Sequence, residues 1–241
     1  MMNRFLRPYV RILLLFSGLY ILHCTPAQAQ IGEQRNNLAI GVNGGVNLSS
    51  VSFIPSFRQA TKQGPVFGFT ARYISEKYFS MICGAQVEVN YSQYGWTTAT
   101  DEGETRSCTR SLNYLEIPFL AHMAFGWDYG FQGFIHAGPQ IGVLLGESVN
   151  MTDDYIQHSS FANYSNGEKA ATLDIDHRFD YGIAAGAGFE WHTRRFGSFI
   201  VEGRYYLGLG DIFDNGAAAD FERSAHRNIV IKATYLFDIT R

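Results

Sequence analysis

Nine ionisable residues fall on the polar face of segments that alternate apolar and polar side chains: Arg72, Glu88, Glu116, His136, Asp180, Glu190, Glu202, Arg204 and Lys232. Strand side chains point to opposite sides in turn, so one face can meet an apolar medium while the other meets a polar interior. Charges buried in that interior must be paired or hydrogen-bonded. The acids at 88, 116, 180, 190 and 202 are matched by bases at 72, 204 and 232, which points to a structural charge network. A proton or ligand path is the alternative use of the same residues.

Three other constellations could do chemistry. Glu116 and His122 share a face, as a hydrolase acid and base would, but no serine motif accompanies them. No catalytic residue is therefore assigned, and an enzyme is not expected. The Asp174-Ile175-Asp176-His177 run offers carboxylate oxygens of the kind that suit calcium, but matches no EF-hand spacing. Cys83 and Cys108 lack CxxC spacing, so no metal site and no cofactor is expected. Cys83 falls on the apolar face of a strand and Cys108 in a loop; a disulfide and two separate thiols both remain open.

The elements that must position these residues are eight strands, at 38–48, 64–75, 79–94, 112–125, 131–145, 178–192, 198–210 and 227–239. The last shows the pattern plainly: Ile229, Ile231, Ala233, Tyr235, Phe237 and Ile239 oppose Asn228, Lys232, Thr234 and Asp238. Every strand is at least as long as the about 9–11 residues that cross a bilayer. Connections alternate between short (76–78, 126–130, 193–197) and long (49–63, 95–111, 146–177, 211–226). Outer-membrane barrels place short turns in the periplasm and long loops outside. The expected fold is thus all-β: an eight-stranded antiparallel up-and-down transmembrane β-barrel with short periplasmic turns, long extracellular loops and periplasmic termini. Tyr91, Tyr94 and Trp96 are expected in an outer aromatic girdle. Phe125, Trp127, Tyr129, Phe131 and Trp191 are expected in an inner one.

Residues 1–29 are set apart as a signal peptide. Arg4, Arg7 and Arg11 precede an apolar core, and Ala27-Gln28-Ala29 supplies small residues for cleavage. A lipoprotein signal at Cys24 is the competing reading, disfavoured by His23. The barrel domain is then 30–241. It keeps 16 Lys+Arg against 22 Asp+Glu, a formal net charge of −6, which gives no footing for a nucleic-acid partner. Beyond the leader no apolar run approaches the twenty residues of a spanning helix.

Asn113-Tyr114-Leu115-Glu116-Ile117-Pro118-Phe119-Leu120 closely resembles the Tyr-Leu-Glu-Ile-Pro signature of the PorT-like outer-membrane barrels of Bacteroidetes. Three further stretches are similar to that family, in the right order: Ala137-Gly138-Pro139; Asp180-Tyr181-Gly182 through Gly186-Ala187-Gly188; and Arg204-Tyr205-Tyr206-Leu207-Gly208-Leu209 followed by Asp211-Ile212. The resemblance implies a small barrel surrounded by outer-membrane lipid and inserted by the barrel-assembly machinery. It also implies a link to type IX secretion and its components. The chain departs from the usual insertion signal, since Phe237-Asp238-Ile239-Thr240-Arg241 lacks a terminal aromatic.

The leading expectation is a structural or accessory membrane barrel. A narrow channel or small-solute transporter is the alternative. A soluble lipocalin-like barrel, with its polar face outward, is the third.

Overall fold

A computed structural model describes residues 32–98, 108–151, 170, 172–193, 195–214 and 221–240. The leader read at 1–29 lies outside them. The chain divides into two units, Met1–Gly32 and Glu33–Arg241, and the second is the barrel.

Eight antiparallel strands follow one another in order and close on themselves: β1 (Glu33–Ile54), β2 (Gln59–Tyr78), β3 (Met81–Thr98), β4 (Cys108–Gly126), β5 (Gly130–Met151), β6 (Phe179–Thr193), β7 (Gly197–Gly208) and β8 (Arg223–Asp238). Closure runs between β1 and β8, from Ala39 opposite Asp238 to Ile54 opposite Arg223. A closed ring leaves no unpaired strand edge, which is what a bilayer interior requires of a sheet.

Most strands run past their expected limits at the end that carries the long connections. The gap expected at 49–63 shrinks to four residues, 55–58. Cys108, expected in a loop, opens β4 and is buried, whereas Cys83 lies half-exposed near the other end of β3; both are free. The physical reason is that a ladder of backbone hydrogen bonds continues above the hydrocarbon, where the outward face need no longer be apolar. Outward side chains turn polar at Ser50, Gln63, Gln93, Asn113 and Arg227 while pairing continues. Below that line the outward face is apolar and exposed, as at Phe69, Phe131, Ile183 and Phe189.

At the opposite end the connections are tight. Phe79-Ser80 joins β2 to β3, and Phe79 adopts φ 52°, a left-handed conformation uncommon for an aromatic residue. Gly197 (φ 78°) opens β7, where a Cβ would meet the Leu236 carbonyl oxygen at 2.0 Å. Phe79, Trp127 and Phe196 project from the three turns with exposed rings. Phe125, Tyr129, Phe131 and Trp191 are exposed nearby. At the loop end Tyr91 is half-exposed, but Tyr94 and Trp96 are fully inside. Their place in an outer girdle is thus corrected. Both share the even-numbered phase of Glu88, which points inward along the whole of β3.

Candidate functional site

The interior is stacked in levels along the barrel, each filled by inward side chains of several strands. An eight-stranded barrel is about wide enough for that and no more.

The middle level is ionic. Glu88 on β3, Glu202 and Arg204 on β7 and Lys232 on β8 meet there, and none is more than 4% exposed. Arg204 forks onto both Glu88 oxygens at 2.9 and 2.7 Å and reaches Glu202 at 2.7 Å. Lys232 Nζ lies 2.5 Å from Glu88 and 3.2 Å from Glu202. Two acids face two bases, so the level is formally neutral. Gln86 and Asn90 side-chain amides donate to Glu88 at 2.6 and 2.8 Å, and Asn43 in turn donates to Asn90 and Thr70, both at 2.9 Å. Charge-assisted, bidentate bonds of this kind are the strong ones, and buried charges persist only when so satisfied.

Toward the turn end, Arg72 on β2 grips Glu190 on β6 through two bonds of 2.5 and 2.6 Å. His122 lies here against the Phe134 ring, with centroids 5.1 Å apart. Six of the nine sequence-derived residues thus meet in two ionic clusters. His136 approaches Glu202 at 3.8 Å. Glu116 and Asp180 stand outside the ion pairs: Asp180 accepts a hydrogen bond from the Tyr206 hydroxyl at 2.8 Å, and Glu116 is buried opposite Asn90 and Gly142.

Glycines make room for this filling. A Cβ on Gly186 would lie 2.6 Å from His136 Nε2, and one on Gly188 would lie 2.7 Å from Phe134 Cζ. The Gly-Ala-Gly stretch of β6 is therefore the face against which two large rings of β5 are packed.

At the loop end the lumen becomes aromatic. Phe53, Trp96, Phe213 and Phe221 form one cluster, with Phe53–Trp96 centroids 5.3 Å apart and Phe213–Phe221 centroids 5.8 Å apart. Arg110 clasps it. Its guanidinium lies 5.8 Å from the Trp96 ring and 5.7 Å from the Phe213 ring. It also binds Glu147 at 2.6 Å and donates to the carbonyls of Ala170 and Leu173 at 3.0 and 2.5 Å. The sequence reading opens this strand at 112, four residues after β4 begins at Cys108, and so misses Arg110, although it lies on the inward phase of Glu116.

The turn end opens into a polar vestibule of about 410 Å³. Asp128 there pairs with Lys77 at 2.7 Å and with Arg35 at 3.2 Å. The hydrogen bond from Lys77, with Arg35 beside it, holds the Asp128 carboxyl below its usual range. His192 lies 3.3 Å from Asp238, and the Arg72–Glu190 pair forms the floor.

The other chemical candidates come apart. Glu116 and His122 both face inward, but six residues along a strand separate them by roughly 20 Å. Asp176 accepts a hydrogen bond from the Asp214 backbone N–H at 2.9 Å and so joins two loop segments. Among the described residues no group of three His, Cys, Asp or Glu is placed to hold a metal ion.

Several solved structures are similar to this chain. The attachment invasion locus protein Ail of Yersinia pestis, crystallised with a heparin analogue, is 13% identical, with 84% of this chain and 100% of that chain covered and a TM-score of 0.38. OprG of Pseudomonas aeruginosa is 13% identical over 86% of this chain and 98% of that one, with a TM-score of 0.46. Neisserial surface protein A is 10% identical over 83% and 99%, with a TM-score of 0.40. Comparison with curated proteins gives no match. A family profile, the outer membrane protein beta-barrel domain, matches residues 28–214, most of the chain. With that match and the closed ring of eight strands, the chain belongs to the outer membrane protein β-barrel domain family, and the outer membrane is its location.

Proposed function

We propose that this barrel is a non-enzymatic scaffold of the outer membrane, closed along its axis, whose working surfaces are its two ends. The observation that carries the reading is the Glu88–Glu202–Arg204–Lys232 level. Four nearly unexposed charged side chains from β3, β7 and β8 are tied to one another across the lumen, with flanking amides on Glu88. The aromatic cluster clasped by Arg110 occupies the lumen nearer the loops. A small-solute channel would need a path through both.

The turn end and both termini face the periplasm in this reading, after cleavage of residues 1–29 and insertion of 30–241 by the barrel-assembly machinery. The length contrast between turns and loops supports that orientation. The finer assignment is to the PorT-like group, with a part in type IX secretion. The ordered motifs from Tyr114-Leu115-Glu116-Ile117-Pro118 to Asp211-Ile212 support it.

The test is pull-down mass spectrometry of the tagged protein solubilised from purified outer membrane. Recovery of secretion or gliding components is the expected result. Recovery of the barrel alone, with cargo secretion intact after deletion of the chain, would remove the type IX assignment.

A further inference from the structure

We infer that the outer wall of β6 and the segment after β7 form a docking site for the saccharide headgroup of an outer-leaflet glycolipid. The inference rests on the proposed orientation, with the loop end outward.

The site is a groove of about 590 Å³ lined by Asp176, His177, Arg178, Phe179, Tyr181, Leu209, Gly210 and Asp211. That volume lies in the range of small-ligand pockets. Its floor is a platform of two rings. Phe179 and Tyr181 are about half-exposed, with centroids 6.3 Å apart and planes 26° from parallel. Neighbouring residues on one face of a strand hold them in that relation, and the backbone fixes the walls. Leu209 and Gly210 N–H groups both donate to the Tyr181 carbonyl, at 2.8 and 3.2 Å, and His177 N–H donates to the Ile212 carbonyl at 3.1 Å. Gly210 lets the Tyr181 ring lie close, since a Cβ there would sit 3.3 Å from it.

The chemistry is that of sugar recognition. The electron-rich face of an aromatic ring attracts the weakly positive C–H face of a pyranose, as it attracts other positive edges. Polar groups ring the platform. Asp176 and Asp211 line the groove, and each accepts a backbone N–H with one carboxylate oxygen, at 2.9 Å from Asp214 and 2.7 Å from Ser224. Carboxylates accept from sugar hydroxyls, and the Arg178 guanidinium suits a phosphate or carboxylate substituent.

Position selects a glycolipid over a free sugar. Phe179 pairs with Val143 and Tyr181 with Ile141, three and five residues below Gly146, which lies opposite the outward polar Asn113 of β4. Directly beneath, Ile183 and Tyr205 continue the exposed apolar band. A ligand with its sugar on the platform would thus lay its acyl chains along the face that already meets lipid.

The test is native mass spectrometry of the purified mature barrel in detergent micelles. It is titrated with rough-type lipopolysaccharide bearing only inner-core sugars, and separately with its delipidated core oligosaccharide. One glycolipid per barrel is expected. Occupancy should fall at least fivefold in Phe179→Ala/Tyr181→Ala and in Arg178→Gln, stay unchanged in Phe131→Ala, and be negligible for the oligosaccharide. Arg178→Gln keeps the aromatic surface, and heat-modifiable gel migration checks that each variant is folded. Equal retention in wild type and both groove variants would overturn the site. Retention of the oligosaccharide as tightly as the glycolipid would overturn the lipid source. Labelling of Asn150→Cys by a membrane-impermeant maleimide on intact cells tests the orientation separately. Labelling only after the envelope is opened would overturn the outward placement even if binding in micelles persists.

Discussion

Arg204 holds two acids at once. Removing it leaves Glu88 with Lys232 and two amides, and leaves Glu202 with Lys232 at 3.2 Å and His136 at 3.8 Å. Breaking a buried pair by deleting one partner costs about 3–5 kcal/mol. Arg204→Ala should therefore lower the urea midpoint of the barrel refolded in vesicles and weaken its heat-modifiable migration. Unchanged migration and midpoint would contradict the network. Arg110 acts differently, because it joins strands to loop segments. In Arg110→Ala the segment at 170–173 loses two charge-assisted bonds, worth about 1.5–3 kcal/mol each. Cleavage there by a broad-specificity protease should accelerate at least tenfold with the barrel intact. Asp128 gives a pH signature. Its carboxyl is depressed below the ordinary value of 3.8 by Lys77 and Arg35. The resulting stabilisation is present above that value and is lost as pH falls through the lower, folded one. With the side chain 35% exposed, screening limits it to about 0.5 kcal/mol. Asp128→Asn should flatten the small loss of urea midpoint between pH 5 and pH 3; an unaltered slope would count against the pairing.

Among the elements, β6 makes the sharpest prediction. Gly186 points inward against His136, whereas a Cβ on Gly203 of β7, which points outward, meets nothing within 4 Å. Gly186→Val should cost about 1–3 kcal/mol through overpacking, and Gly203→Ala next to nothing, in the same urea titration. The strands themselves were legible in the sequence because period-two alternation is strict wherever one face meets lipid. Strand ends at the loop side were not legible. There the outward face turns polar, so alternation fades while the backbone ladder continues. Trp96 and Arg110 were misplaced or missed for that reason, whereas Tyr94 already lay on the inward phase of the expected strand 79–94 and was assigned to the girdle by residue type. Extending the even-numbered phase of Glu88 or Glu116 by a few residues would have put Trp96 and Arg110 inside. The inward direction of the charged residues could be read from phase alone. Which acid meets which base could not, since pairs such as Arg72–Glu190 are set by the closure and stagger of the whole ring.

For the molecule as a whole, the proposed function follows from closure. A ring of eight strands admits a filled interior, and this one is filled by neutral ionic clusters, then by aromatics beneath the loops. In the proposed function, such a barrel acts through what its ends and outer wall touch. The most direct measurement of that claim is planar-bilayer conductance of the purified, refolded chain from residue 30 onward. We expect no stable current steps in the wild type at high salt. Reproducible steps whose size scales with salt concentration would contradict a closed lumen and favour the narrow-channel reading.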